Sequence, residues 1–259
     1  MSGSGPSTVA HFYDELATDY HLVYADWDEA MSRQGTALDA LIRAELGTGP
    51  VPVLDCSCGI GTQAIPLALR GHRVVGTDIS PSAVDRAARE ASARGVRLPT
   101  ATADMRRLPF ADSRFDAVVC ADNSLPHLLT EEDVCAALAE MRRVLSPDGL
   151  LLISTRPYDE ILRSRPASTM PRTGSSPAGR AVTFQLWDWH DDGEHYDLEH
   201  FRLLPEGDGW SVRVRRSTYW ALAQRQLADF ADRAGFVAPT WHTPASSGFF
   251  QPVLTARRP

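Results

Sequence analysis

The apolar positions between Val51 and Thr155 fall into short runs, VPVLDCS, HRVVGTDIS, TATAD, FDAVVCAD and LLLIST, separated by segments with apolar residues at three- and four-residue spacing. Runs of that length read as strands buried on both faces. The intervening stretches, near Gln63 to Leu69, Ser82 to Ala93 and Glu131 to Leu145, read as crossover helices. Strands and helices in this alternation predict an α/β fold, a doubly wound, mostly parallel Rossmann-like sheet.

The flanks break this rhythm. Residues 1 to 9 look like a disordered tail, and His11 to Glu45 reads as helical, with Phe12, Tyr13, Tyr20, Tyr24 and Trp27 ahead of an Ala/Leu helix. Residues 157 to 179, rich in Pro, Ser and Gly, read as a long mobile loop or lid. AVTFQLWDWH, HYDLEHFRLL and WSVRVRRSTYWAL, joined by DDGE and EGDG turns, predict a three-strand antiparallel insertion. A helix over QRQLADFADRA and a last pair of strands return the chain to the sheet, giving seven strands in all. The expected organisation is a tail and helical lid (1–45), a cofactor-binding core (46–156), a substrate loop and insertion (157–222), and a C-terminal helix and strands completing the core (223–259).

Charge narrows the partner. With 26 basic against 33 acidic residues the chain carries a net charge of -7, which disfavours nucleic acid or an anionic membrane and favours a small molecule. All 26 basic residues are arginine, which excludes lysine Schiff bases and phosphate-loop lysines. No apolar run reaches transmembrane length and the start lacks a signal peptide's pattern, so a cytoplasmic location is expected. Cys56, Cys58, Cys120 and Cys135 then read as reduced thiols, and no second pair with zinc-ligand spacing follows the C-x-C, so no metal is expected. Asparagine occurs once, at Asn123.

The sharpest motif is Val53 to Gln63, an apolar strand end running into Asp55-Cys56-Ser57-Cys58-Gly59-Ile60-Gly61-Thr62 and then a helix. Gly59 and Gly61 permit close backbone approach of a ligand at the carboxyl end of a strand. Asp78, with Ile79 after it, ends the next strand, where a carboxylate can accept both ribose hydroxyls. A dinucleotide site would want G-x-G-x-x-G and a helix N-terminus free for pyrophosphate, whereas Asp55 would face those phosphates; a carboxylate there favours a cationic ligand. Asp104 and Met105 follow the third strand, Asp104 being equally explicable as a helix cap.

D-x-x-x-G-x-G-T resembles the S-adenosylmethionine-binding loop of class I methyltransferases. More specifically, CADNSLPHL and STRPYDEIL resemble the glycine and glycine/sarcosine N-methyltransferases, a likeness that covers most of the chain. The resemblance implies S-adenosyl-L-methionine as cofactor and S-adenosyl-L-homocysteine as product, with Asp104 accepting the adenine amino group and Met105 flanking the ring. It implies that Asn123 supports the transferred methyl or substrate amine through its carbonyl, and that His127 closes over the methionine end beside Asp122 and Ser124. Arg156 would hold a substrate carboxylate, the alternative being a surface ion pair with Asp159. Arg33 would grip the cofactor carboxylate. Tyr24 and Trp27 would cover cofactor or substrate, or else pack in the core.

A sulfonium is already an activated methyl donor, so alignment and exclusion of water are the protein's main tasks. His21, His127 and His242 are open as proton acceptors for an amine. Tyr20, Tyr24, Tyr158, Trp189, Tyr196 and Tyr219 are expected to line the acceptor site with Asn123 and Arg156, alongside His200 and Trp220, and so many rings allow a flatter acceptor than glycine. The expected function is N-methylation of a small molecule. An O-methyltransferase, a nicotinamide oxidoreductase and a non-catalytic cofactor-binding module stay open; oligomeric state is not readable.

Overall fold

In the computed structural model, which describes residues 8–176 and 179–259, the central sheet has seven strands. These are β1 (Pro52–Asp55), β2 (Arg73–Asp78), β3 (Thr100–Thr102), β4 (Phe115–Cys120), β5 (Leu145–Ser154), β10 (Val237–His242) and β11 (Val253–Arg257), in the order β3-β2-β1-β4-β5-β11-β10. The first five run parallel, and β11 pairs antiparallel with β5 and with β10. The winding reverses between β1 and β4, and in open α/β sheets that switch point leaves a crevice beyond the carboxyl ends of the strands.

Helices cover both faces because both faces of these strands are apolar. On one side α2 (Trp27–Leu46), α3 (Ala64–Leu69) and α4 (Pro81–Ala93) bury Leu38, Ile42, Ile65, Leu67 and Ala87 against Val53, Val119 and Leu152. On the other, α5 (Glu131–Val144) and α7 (Gln224–Arg233) bury Leu138, Met141, Leu227 and Phe230 against Leu54, Val118 and Ile153. Side-chain oxygens of Asp26, Ser80 and Thr130 cap the N-termini of α2, α4 and α5. The expected tail lies mostly outside the described residues: Thr8 caps α1 (Val9–Ala17), which a 3-10 turn at Tyr20–Val23 joins to α2.

Two sequence expectations need correction. The segment 157–179 is not one long loop: it holds α6 (Tyr158–Ser164), and residues 167–169 are stitched to the insertion by Thr169 N to Gln185 O and Trp187 N to Ala167 O. The insertion has four strands, because β6 (Arg172–Ser176) pairs with β7 (Gly179–Trp189) ahead of β8 (His195–Glu206) and β9 (Gly209–Trp220). RTGSS has little strand preference of its own; the backbone groups of β7 supply the pairing that sequence pattern does not announce. This second sheet, with α1 and the 3-10 turn over it, roofs the crevice.

Candidate active site

The turn after β1 is pinned to both neighbouring strands, Cys56 N donating to Val119 O and Cys58 N to Thr77 O, both at 2.9 Å. Gly61 has φ +96°, and a Cβ there would lie 2.6 Å from Ile65 Cδ1, so the turn requires glycine. Gly59 N donates to Asp78 Oδ2 at 2.8 Å and Ser80 N to Oδ1 at 2.9 Å, so the carboxylate at the end of β2 is fixed beside the glycine turn. Burial raises its pKa against those two hydrogen bonds.

A cavity of about 280 Å³ lies over this turn, lined by Cys56 to Ile60, Thr62, Asp78, Ile79, Asp104, Met105, Asp122, Ser124 and His127, with Tyr13 and Tyr20 closing it. Asp104 is held by both Arg106 Nε and Nη2, which lowers its pKa against the cost of burial. Arg106 also pairs with Asp133. The lining therefore presents carboxylates and one compensated arginine. That composition suits sugar hydroxyls and a cation better than a pyrophosphate. Asp55 does not face the cavity: it lies fully buried beneath the turn, Oδ1 accepting from Ser57 N and Oδ2 without a partner among the described residues, and burial lifts its pKa to about 7.

A second chamber of about 1000 Å³ opens on the other side of Tyr13, Tyr20 and Asp122, which line both. Asp122 and Asn123 are consecutive left-handed residues, φ +55° and +66°. This turn aims the first toward both chambers and the second into the larger one. Such backbone is uncommon for residues other than glycine, with Asn and Asp the most tolerant. The carbonyl of Asn123 accepts from Arg156 N at 3.0 Å, and its buried Nδ2 has no partner among the described residues.

Arg156 sits on a floor of stacked rings. Trp187 and Tyr196 stack at 4.5 Å, Tyr196 and Tyr219 at 5.5 Å, and His127 lies 4.1 Å from Tyr219. The guanidinium lies 4.7 Å over Trp187 and 5.4 Å from Tyr219, donating to Tyr196 Oη at 3.0 Å and Gln185 Oε1 at 3.3 Å. Among the described residues it makes no ion pair. Asp159, its alternative partner, instead accepts from Gln224 N at the start of α7. Arg156 is thus a fixed positive charge whose side-chain hydrogen-bond partners are both neutral, facing the larger chamber.

The histidines separate. His127 hydrogen-bonds Tyr13 Oη through Nε2 at 2.7 Å and Ser217 Oγ through Nδ1 at 3.2 Å, and burial, with the Arg156 charge, drops its pKa to about 3. His21 meets Arg86 and His242 meets Thr255, both away from the chambers. Arg33 lies on α2 at the rim of the larger chamber, 71% exposed and 3.9 Å from Glu29, not in the smaller one, because its helix presents that face to solvent. Trp27 packs outside the glycine turn: its Nε1 donates to Thr62 Oγ1 at 3.0 Å, with Arg94 over its ring. Tyr20 and Tyr24 donate to Asp122 Oδ2 at 3.2 and 2.8 Å.

Tyr158 and Tyr196 stand behind Arg156, hydrogen-bonded to one another at 3.0 Å, instead of lining the chamber. Trp189 is spent on Pro166 O and Trp220 on Glu194. Trp187, one pleat further along the same face as Trp189, is the lining tryptophan. Tyr13, Trp187 and Gln251 were not legible as site residues. Gln251 accepts from Ser154 Oγ, which in turn accepts from Asp122 N, a relay whose ends lie 129 residues apart and that no local pattern marks. Among the described residues there is no cluster of three or more metal-ligating side chains.

Comparison with known proteins agrees with this geometry. Residues 53–149 match the model of a methyltransferase domain. Glycine/sarcosine N-methyltransferase of Parasynechococcus marenigrum is 36% identical over 169 residues, 62% of this chain and 58% of that protein. The Aphanothece halophytica enzyme of the same name is 35% identical over 52% of this chain and 53% of its own. The chain therefore spans a little over half the length of the curated relatives it matches. Among solved structures, Streptomyces venezuelae DesVI superposes with a TM-score of 0.77 at 17% identity over 93% of this chain and 97% of its own. The sugar N-methyltransferase KedS8 from Streptoalloteichus does so at 0.74 and 18%, over 100% and 96%. Residues 53–149 thus match a methyltransferase domain, the chain has the class I methyltransferase fold, and it is similar in sequence to the glycine/sarcosine N-methyltransferases.

Proposed function

We propose that the protein is an S-adenosylmethionine-dependent methyltransferase acting on a nitrogen of a small molecule. The observation that carries the reading is the pair of chambers meeting at Tyr13, Tyr20 and Asp122, one over the glycine turn and Asp78, the other over Arg156. In the smaller chamber Asp78 would take the ribose hydroxyls, Asp104 and Met105 the adenine, and Ser124 and His127 the methionine end. The bound cofactor supplies a methyl group on a cationic sulfur. The chain's part is to hold the acceptor in line with that methyl and to keep water out, which the aromatic lid of α1 and the 3-10 turn is positioned to do.

The larger chamber supports an acceptor bigger than glycine, because about 1000 Å³ is at the upper end of small-molecule sites. Arg156 over its ring floor suits a carboxylate or another electron-rich group on that acceptor. The solved relatives acting on sugar nitrogens make an amino sugar one class to test beside amino acids and N-heterocycles. Calorimetric titration with S-adenosylhomocysteine against NADH tests the cofactor, with binding of the first alone expected. Mass spectrometry of amines, N-heterocycles and phenols incubated with S-adenosylmethionine tests the acceptor. A mass gain of one methyl on phenols only would overturn nitrogen as the acceptor.

A further inference from the structure

The mechanism above leaves open where the acceptor's proton goes. His127 is engaged by Tyr13 and Ser217, His21 by Arg86 and His242 by Thr255, and the carbonyl of Asn123 is held by Arg156 N. His200 lines the larger chamber alone, its Nδ1 without a partner among the described residues, but burial and the charges of Arg215, Arg202 and Arg156 lower its pKa to about 4. Asp122 differs from all of them. Among the described residues it is the one carboxylate that lines both chambers, and it sits where they meet. Its backbone is held at φ +55°, a conformation that glycine adopts at no steric cost.

We propose that the carboxylate of Asp122 receives the protonated amine of the acceptor at the methyl-transfer point and takes its proton. The proposal rests on the methyltransferase reading above. One N–H proton passes to a carboxylate oxygen and frees the nitrogen lone pair. That pair forms the N–C bond to the methyl as the C–S bond breaks and its electrons stay on sulfur. The methylated product departs as an ammonium ion, and Asp122 returns its proton to solvent.

The surroundings fit the task. Oδ2 is fixed by the two phenols of Tyr20 and Tyr24, and Oδ1 has only a long contact, 3.4 Å, from Gln251 Nε2, so one oxygen retains room for an N–H. Tyr13 from α1, Tyr20 and Tyr24 from the lid, Tyr219 from β9 and Arg156 from the end of β5 are the titratable and charged groups around it. Burial raises the pKa of Asp122 against the hydrogen bonds from Tyr24 and Tyr20 and the charge of Arg156.

The test uses sinefungin, the S-adenosylhomocysteine analogue with an amine in place of the transferred methyl, whose ammonium probes the junction without turnover. Calorimetry at pH 7 is expected to show sinefungin binding about tenfold more tightly than S-adenosylhomocysteine. In Asp122→Asn and in Asp122→Gly, which relieves the backbone, the ratio of the two ligands' affinities, each measured on the same variant, is expected to fall to about one. A preference unchanged in both variants would overturn the proposal. Failure of the wild-type chain to bind either ligand would overturn the cofactor reading and the proposal with it, a result distinct from the first. Thermal melts of both variants separate misfolding from lost recognition, since a misfolded variant loses both ligands together.

Discussion

At the scale of single residues, the site is a set of charges whose partners decide what each can do. Asp78 offers its outer lone pairs to the smaller chamber because its inner ones are taken by Gly59 N and Ser80 N. Asp78→Ala should weaken S-adenosylhomocysteine binding by about 1–3 kcal/mol, the worth of lost charge-assisted hydrogen bonds, measured by calorimetry. Unchanged affinity would remove Asp78 from the ribose. Arg156→Ala should abolish most turnover and leave that affinity nearly intact; equal losses would put Arg156 at the cofactor. Asp55 gives a pH signature. Its native pKa of about 7 exceeds the unfolded value, so its ionisation penalises the folded state increasingly as pH rises from about 4 to 7. The stability gained by Asp55→Asn over wild type in urea melts should grow across that window and level off above it.

Elements transmit these positions. The glycine turn fixes Asp78, and Ile65 on α3 fills the space that a Cβ at residue 61 would need. Gly61→Ala should cost about 1–3 kcal/mol of stability and weaken S-adenosylhomocysteine binding, since strain at φ +96° adds to the clash. Retained affinity and melting temperature would show that the turn relaxes. In the second sheet the register of β7, β8 and β9 sets Trp187, Tyr196 and Tyr219 on one face. Which tryptophan along β7 meets the chamber depends on where α6 and residues 166–169 cover the strand. That is a tertiary fact, and it moved the lining position from Trp189 to Trp187.

For the molecule as a whole, the lid is tied to the second sheet by few bonds. Asp19 pairs with Arg202, which is 2% exposed, and Glu15 O accepts from Arg215. Further nitrogens of both arginines lack partners among the described residues. Asp19→Ala should leave Arg202 buried and uncompensated, costing about 1–3 kcal/mol, and should loosen α1 and the 3-10 turn. A lower melting temperature and faster proteolytic cleavage before residue 27 would register it; unchanged cleavage would place lid anchoring elsewhere.

The sequence by itself determined the parallel sheet, its crossover helices, the glycine turn and the order of acids at the strand ends. Those follow from period, spacing and backbone conformation, which are local properties. It also singled out Asn123 and Arg156, but not what each contacts. Only the tertiary structure decided that Asn123 gives its carbonyl to Arg156, that Asp55 lies under the turn, that RTGSS becomes a strand, and that Tyr13 and Gln251 join the site. Each of those depends on groups brought together from distant parts of the chain, where burial and the competition for hydrogen-bond partners set a residue's role, and neither is encoded at any one position.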